Sequence, residues 1–149
     1  MYKTLIIVDD ETCYPQLNTA CITFAQYLSD YPKLNEPKTR IINLCDTQQY
    51  LSKGYYCSLL AEARQHLALP SVKTINTLRD DKTHHALSLI PYLPKNVFNT
   101  NTAQKNQTYS ILAFFGKSLD PQFAQLCKQA FKQFSAPILN IRFWKEDDE

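Results

Sequence analysis

Glycine occurs only twice in the 149 residues, at Gly54 and Gly116. Phosphate-cradling loops such as GxxxxGK(S/T) or GxGxxG need several glycines, because backbone N–H groups must approach the anion closely. Neither motif can be built from this sequence, and a glycine-rich lid over a nucleotide is equally excluded.

Strand and helix signals alternate along the chain. Thr4 to Val8 is a short, β-branched apolar run ending at Asp9 and Asp10, the pattern of a buried strand followed by a loop. Glu11 to Asn18 reads as loop, Cys21 to Ala25 as a second strand and Gln26 to Ser29 as a helical turn. Tyr31 to Pro37 is a connection, after which Thr39 to Leu44 gives another strand. The best helix runs from Gly54 to Leu67, where Tyr56, Leu59, Leu60, Ala63 and Leu67 share one side at helical spacing and predict its core-facing stripe. Pro70 ends it, and Ser71 caps a further helix to about Arg79. His84 to Leu93 reads as an irregular helical piece, and Asn96 to Gln107 as an exposed loop or lid. Tyr109 to Phe115 is a strand. Asp120 as N-cap, with Pro121 at the first helical position, starts a helix to about Phe134, and Pro137 to Phe143 is the last strand. The alternation predicts a single α/β domain over residues 1–149, with a central, largely parallel or mixed sheet of about four to five strands flanked by helices. The charged stretch 145–149 reads as the start of a linker.

A domain of this length buries roughly 70% of the surface its unfolded chain exposes, enough for a real core. Apolar residues make up 44% and charged ones 20%, as in ordinary soluble domains. The longest apolar runs, such as Ile111 to Phe115, are too short to span a bilayer, and the first strand runs into aspartates rather than a leader cleavage site. A cytoplasmic location with no membrane partner is expected. The net charge of +2 comes with scattered cations, so no nucleic-acid footprint stands out. The cysteines at 13, 21, 45, 57 and 127 form an odd set without a CxxC pair, which predicts reduced thiols rather than a disulfide framework or zinc knuckle.

On the wheel of the Gly54 to Leu67 helix, Ser58, Glu62 and His66 lie within about 60 degrees of Tyr55. This polar stripe borders the apolar face, where pocket walls are often built. Glu62 and His66 are spaced to hydrogen-bond across one turn and orient the imidazole, although a helix whose polar groups merely satisfy one another gives the same spacing. Arg64, about 160 degrees from Glu62, must pair elsewhere: with a ligand anion, or with a structural carboxylate such as Asp46 or Asp9. Asn43, Cys45 and Asp46 follow one expected strand, and Asp9 and Asp10 another. If those strands are parallel and adjacent, the two loops flank one crevice beyond the strand ends, where open α/β sheets bind ligands. Asp and Asn are also ordinary turn formers. Glu62, His66 and Cys45 are suitable metal-ligand types without a recognised spacing, and no metal is expected. A Cys45–His66 nucleophile pair competes with the usual role of free cysteine as a small buried hydrophobe.

The run Asn43-Leu44-Cys45, Tyr50, Ser52, Gly54-Tyr55-Tyr56, Ser58-Leu59-Leu60-Ala61-Glu62-Ala63-Arg64, His66, Leu69-Pro70-Ser71-Val72 resembles the domain in front of the catalytic module of RimK-like ATP-grasp ligases. Its signature reads roughly NLC, GYYxSLLAEARxH and LPSV. The first strand with its aspartates, Phe115-Gly116-Lys117, Phe134, Ala136-Pro137 and Leu139 extend the resemblance over nearly the whole chain. Thr47, Gln48 and Gln49 stand where family members often carry an arginine and an aromatic residue. Gln65 replaces a frequent glycine, and Cys57 a frequent valine.

The resemblance implies a larger protein in which an ATP-grasp module, using ATP and Mg2+, activates a carboxylate as an acyl phosphate and joins it to an amine. The present chain would be a non-catalytic accessory domain with no cofactor of its own. It would bind an amino-acid or peptide-like substrate, or dock onto the downstream ATP-grasp module, with Asp9, Asn43, Cys45, Tyr50, Tyr55, Ser58, Glu62, Arg64 and His66 lining the site. Two alternatives remain from the residues themselves: a stand-alone hydrolase-like enzyme using Cys45 or a metal, and a purely structural interaction module.

Overall fold

The structure, a computed structural model, describes residues 2–10, 21–30, 36–80, 87–95, 97 and 108–144. The expected loop from Glu11 to Asn18, most of the Tyr31 to Pro37 connection, the start of the helical piece at His84, nearly all of Asn96 to Gln107 and the 145–149 linker lie outside the described residues. The chain divides into two compact units, Met1–Asp81 with Ser135–Pro137, and Lys82–Phe134 with Ile138–Glu149.

In the first unit, short apolar runs form four parallel strands: β1 (Lys3–Val8), β2 (Cys21–Thr23), β3 (Thr39–Asn43) and β4 (Leu67–Leu69), ordered β2-β1-β3-β4. The β1–β3 register sets Leu5 beside Ile41 and Ile7 beside Asn43. Leu5, Ile7 and Ile41 are sealed from water in a core with Tyr27, Cys45, Cys57 and Ala61. The chain leaves β1 for β2 on one side and β3 for β4 on the other. The order of the strands therefore reverses between β1 and β3, the kind of switch point at whose carboxyl ends open α/β sheets bind ligands.

Helix α1 (Phe24–Asp30) opens with a reciprocal cap: the Gln26 N–H donates to Thr23 Oγ1 (3.2 Å) and the Thr23 N–H to Gln26 Oε1 (2.9 Å). This cap stops β2 at Thr23, so the strand expected to reach Ala25 gives way to a longer helix. Helix α2 (Lys53–Ala63) starts where Ser52 Oγ accepts the Tyr55 N–H (3.4 Å). It ends a turn before the expected Leu67, which instead enters β4. The His66 N–H donates to the Ala61 carbonyl (2.8 Å) and the Gln65 N–H to the Glu62 carbonyl (3.0 Å), with Gln65 at φ +61°. These two bonds are a Schellman closure, whose left-handed position favours glycine. Gln65 stands where the sequence resemblance would have that glycine. Helix α3 (Val72–Arg79) has its expected start, Ser71 Oγ accepting the Thr74 N–H (3.1 Å).

The face of α2 that meets the core is the reverse of the expected one. Gly54, Cys57, Ser58 and Ala61 are buried, whereas Tyr56, Leu59 and Leu67 are 44%, 41% and 51% exposed; only Leu60 of the expected stripe packs against the core. Small residues at i, i+3, i+4 and i+7 let the helix lie close to the sheet. Gly54 shows how close: its N–H donates to the Asp46 carbonyl (2.9 Å), and an added Cβ would collide with that same carbonyl. Both sides of the helix carry apolar residues, so periodicity could not choose between them.

In the second unit β5 (Thr108–Phe114) pairs antiparallel with β6 (Lys117–Ser118) and β7 (Ile138–Trp144). Phe115 (φ +50°) and Gly116 (φ +76°) make the two-residue turn between β5 and β6. Asp120 caps a short 3-10 turn, Pro121–Phe123, that leads into α4 (Ala124–Gln133), close to the expected helix start. Leu126, Cys127 and Ala130 of α4 are buried, as are Ala113, Leu139 and Phe143 of the sheet. The last expected strands thus exist, but in their own antiparallel sheet. Leu87–Tyr92 forms a 3-10 helix. Among the described residues no helix is long and apolar enough to cross a membrane.

Gly54→Ala should lower stability by about 2 kcal/mol or more, because backbone rather than a movable side chain blocks the new methyl group. Gln65→Gly should raise it by about 0.5 kcal/mol, relief of left-handed strain outweighing the added freedom of the unfolded chain. Denaturant midpoints measured at constant m-value check both signs.

Candidate functional site

At the carboxyl edge of the sheet the Asp46 N–H donates to Asp9 Oδ2 (3.2 Å), joining the loops that follow β1 and β3. The condition set by the sequence, parallel and adjacent strands, is met. Asp46 Oδ1 turns the loop by accepting the Gln48 N–H (2.8 Å). Asp46 is exposed and Asp9 half-buried.

Directly beneath lies a buried polar network. Asn43, 3% exposed, donates from Nδ2 to the Gly54 carbonyl (2.7 Å) and to Ser58 Oγ (2.9 Å), and its Oδ1 accepts the Cys45 N–H (3.0 Å). Ser58 Oγ donates in turn to the Pro70 carbonyl (2.6 Å). The amide and hydroxyl are thus fully engaged with the protein, as buried polar groups must be. Cys45 is buried beside them, and its thiol is pushed well above the ordinary range by Cys57, by burial and by Asp9. A thiol held protonated is a poor nucleophile.

The loop from Asp46 to Ser52 is braced by Arg79, at the last turn of α3. Its Nη2 donates to the Thr47 (3.3 Å) and Gln49 (3.0 Å) carbonyls. The guanidinium carbon stands 5.5 Å from the Tyr50 ring centroid and 5.4 Å from that of Tyr55. Cation–π attraction of this kind holds both rings against one charge. Tyr50 is nonetheless 76% exposed.

A third group gathers at the other end of α2. Arg64 donates from Nη1 to the Tyr27 carbonyl (2.7 Å) and from Nη2 to the Leu28 carbonyl (3.1 Å), with its charge 4.8 Å from the Tyr27 ring centroid. The Tyr27 hydroxyl lies 2.7 Å from His66 Nδ1, and His66 Nε2 lies 3.0 Å from Glu36 Oε2. A carboxylate only accepts, so Nε2 carries the hydrogen and Nδ1 accepts from the tyrosine. Burial pushes the Tyr27 hydroxyl up to about 12, with Arg64 beside it pulling part of the way back.

The polar stripe expected along one helix face therefore does not form. His66 lies beyond the helix end, and Ser58 points into the core. Glu62 does not pair with His66; its Oε1 accepts the Val72 N–H (2.9 Å) and caps α3. Arg64, for which a carboxylate or an anion was expected, closes the end of α1 instead. With both His66 nitrogens taken by Tyr27 and Glu36, the Cys45–His66 pair does not form, and the Glu62, His66 and Cys45 side chains each meet different partners: Val72, Tyr27 with Glu36, and Cys57 with Asp9. Tyr50 and Tyr55 meet around Arg79, and Asp9 meets Asp46. Arg79, Tyr27 and Glu36 were not singled out in the sequence. A lone cation in the last turn of a helix signals only favourable helix-dipole chemistry, and Glu36 sat in an expected connection.

Tyr27 should hold its proton beyond the ordinary value of 10. A raised native value stabilises fully below pH 10 and is lost as pH climbs towards 12, so stability should fall across that window. Tyr27→Phe should flatten that fall, as read from denaturation midpoints at stepped pH.

No curated protein and no solved structure matches the chain at a significant level. The family described as the RimK-like ATPgrasp N-terminal domain matches residues 24–149, from α1 onward, and leaves β1 and β2 outside the matched span. With most of its length in that match, the chain belongs to the RimK-like ATP-grasp N-terminal domain family.

Proposed function

We propose that this chain is the accessory N-terminal part of an ATP-dependent carboxylate–amine ligase, and that it holds a substrate at the carboxyl edge of β1 and β3. The observation that carries this reading is the Asp46–Asp9 junction at the switch point of the sheet, in a member of this family. Asp9, Asp46, Tyr50 and Tyr55 are the expected residues that face the substrate, an amino-acid or peptide-like molecule. Asn43, Ser58 and Cys45 support the loop from below. ATP and Mg2+ belong to the ATP-grasp module, which performs the acyl activation. A second reading, a docking face for that module, is favoured by the exposed Tyr56 and Leu59 on the outer side of α2.

In the ligase containing both parts, Asp46→Ala and Tyr55→Ala should each raise KM for one substrate by about tenfold at unchanged kcat, as loss of uniform binding does. Unchanged KM for both substrates would overturn substrate binding. Slower amide exchange at Tyr56 and Leu59 in the joined protein would then support docking.

A further inference from the structure

Arg79 has no counter-charge among the described residues. Its polar contacts are two neutral carbonyls, both taken by Nη2, and it forms no ion pair with a described residue. Its Nε is buried and has no hydrogen-bond partner. A buried donor left unpaired costs free energy that an incoming oxygen would recover. Both tyrosine rings lie within cation–π distance of the guanidinium, at 5.5 and 5.4 Å, so a partner at the Nε edge would sit beside aromatic surface.

The loop that Arg79 braces contains a strained residue. Leu51, next to Tyr50, sits at φ +56°, a left-handed conformation that a leucine adopts at a cost. Tyr50 is largely in solvent. A small shift of the Thr47–Leu51 backbone would release the strained residue, free Nη2 from the carbonyls and open the Nε edge.

The geometry points to Arg79 as the carboxylate-recognising residue of this site, binding the ligand's carboxylate through Nε and Nη2 beside the rings of Tyr50 and Tyr55. Arginine and carboxylate match in two parallel, charge-assisted hydrogen bonds stronger than those to neutral carbonyls. The adjoining rings can cover the ligand's carbon chain, which a free phosphate lacks. The assignment rests on the substrate-binding reading above and names the group by which the substrate is held. In a carboxylate–amine ligase the acid and an amino-acid acceptor both carry one.

The test follows the Arg79 Nε–H signal of the 15N-labelled chain by NMR during titration with glutarate, with glutaramide and inorganic phosphate as controls. Glutarate should shift that signal and the amides of Thr47 to Leu51, and glutaramide should not. Arg79→Lys should weaken glutarate binding about tenfold or more, as loss of a charged bidentate pair does. Tyr50→Ala removes a largely exposed ring, so the chain should stay folded, and it should also weaken binding. An unmoved Arg79 signal at saturating glutarate, shifts that persist in Arg79→Lys, or equal binding of phosphate overturns the carboxylate assignment. Such a failure leaves the accessory role standing if Asp46→Ala still raises KM in the ligase. A moved signal with unchanged ligase kinetics keeps a carboxylate site at Arg79 and removes its substrate-holding role in the ligase.

Discussion

The contact between Gly54 and the Asp46 carbonyl sets the geometry of the first unit. It brings the N-terminal turn of α2 against the backbone at the end of β3, closer than any side chain would permit. Asn43 then reaches from the last position of β3 to the Gly54 carbonyl and to Ser58, while its Oδ1 fixes the Cys45 N–H. One amide thereby ties strand, loop and helix together, and Ser58 extends the tie to Pro70 at the start of α3. Such a buried network is worth having only when every member is satisfied, and here each named atom has its partner.

A helix held this closely must present small residues inward, and its larger apolar residues are consequently turned out. The exposed Tyr56 and Leu59 are thus a product of the Gly54 contact rather than of weak packing. The opposite end of α2 is closed by different means. Its Schellman turn aims Arg64 at the free carbonyls of α1, satisfying groups that a helix end leaves without partners, and delivers His66 to Tyr27 and Glu36.

Much of the fold was legible in the sequence because its signals are local. The β-branched run before Asp9, the Ser71 cap and the Asp120-Pro121 pair each fix an element boundary through bonds a few residues apart. What was not legible depends on groups distant in sequence. The end of α2 at Arg64 is set by a residue that tolerates positive φ without being glycine. The buried face is set by Gly54 meeting Asp46. The antiparallel pairing of β5 with β7 joins strands that β6 and α4 separate in sequence. The meeting of the β1 and β3 loops could be anticipated from the two sets of loop aspartates, whereas Arg79 acquires meaning only once α3 has folded back beside the loop.

Arg64 and Arg79 show why residue type alone misassigns such sites. Both stand against tyrosine rings and both donate to backbone carbonyls. Arg64 uses two different nitrogens on two consecutive carbonyls at a helix end, a geometry the helix itself requires. Arg79 uses one nitrogen twice, on carbonyls of a loop that contains a strained leucine, and keeps Nε buried and idle. The first arrangement is complete as it stands. The second has an unpartnered buried donor, no ion pair with a described residue and a strained residue in the loop it braces, and those three properties together separate a structural arginine from one placed to receive an anion.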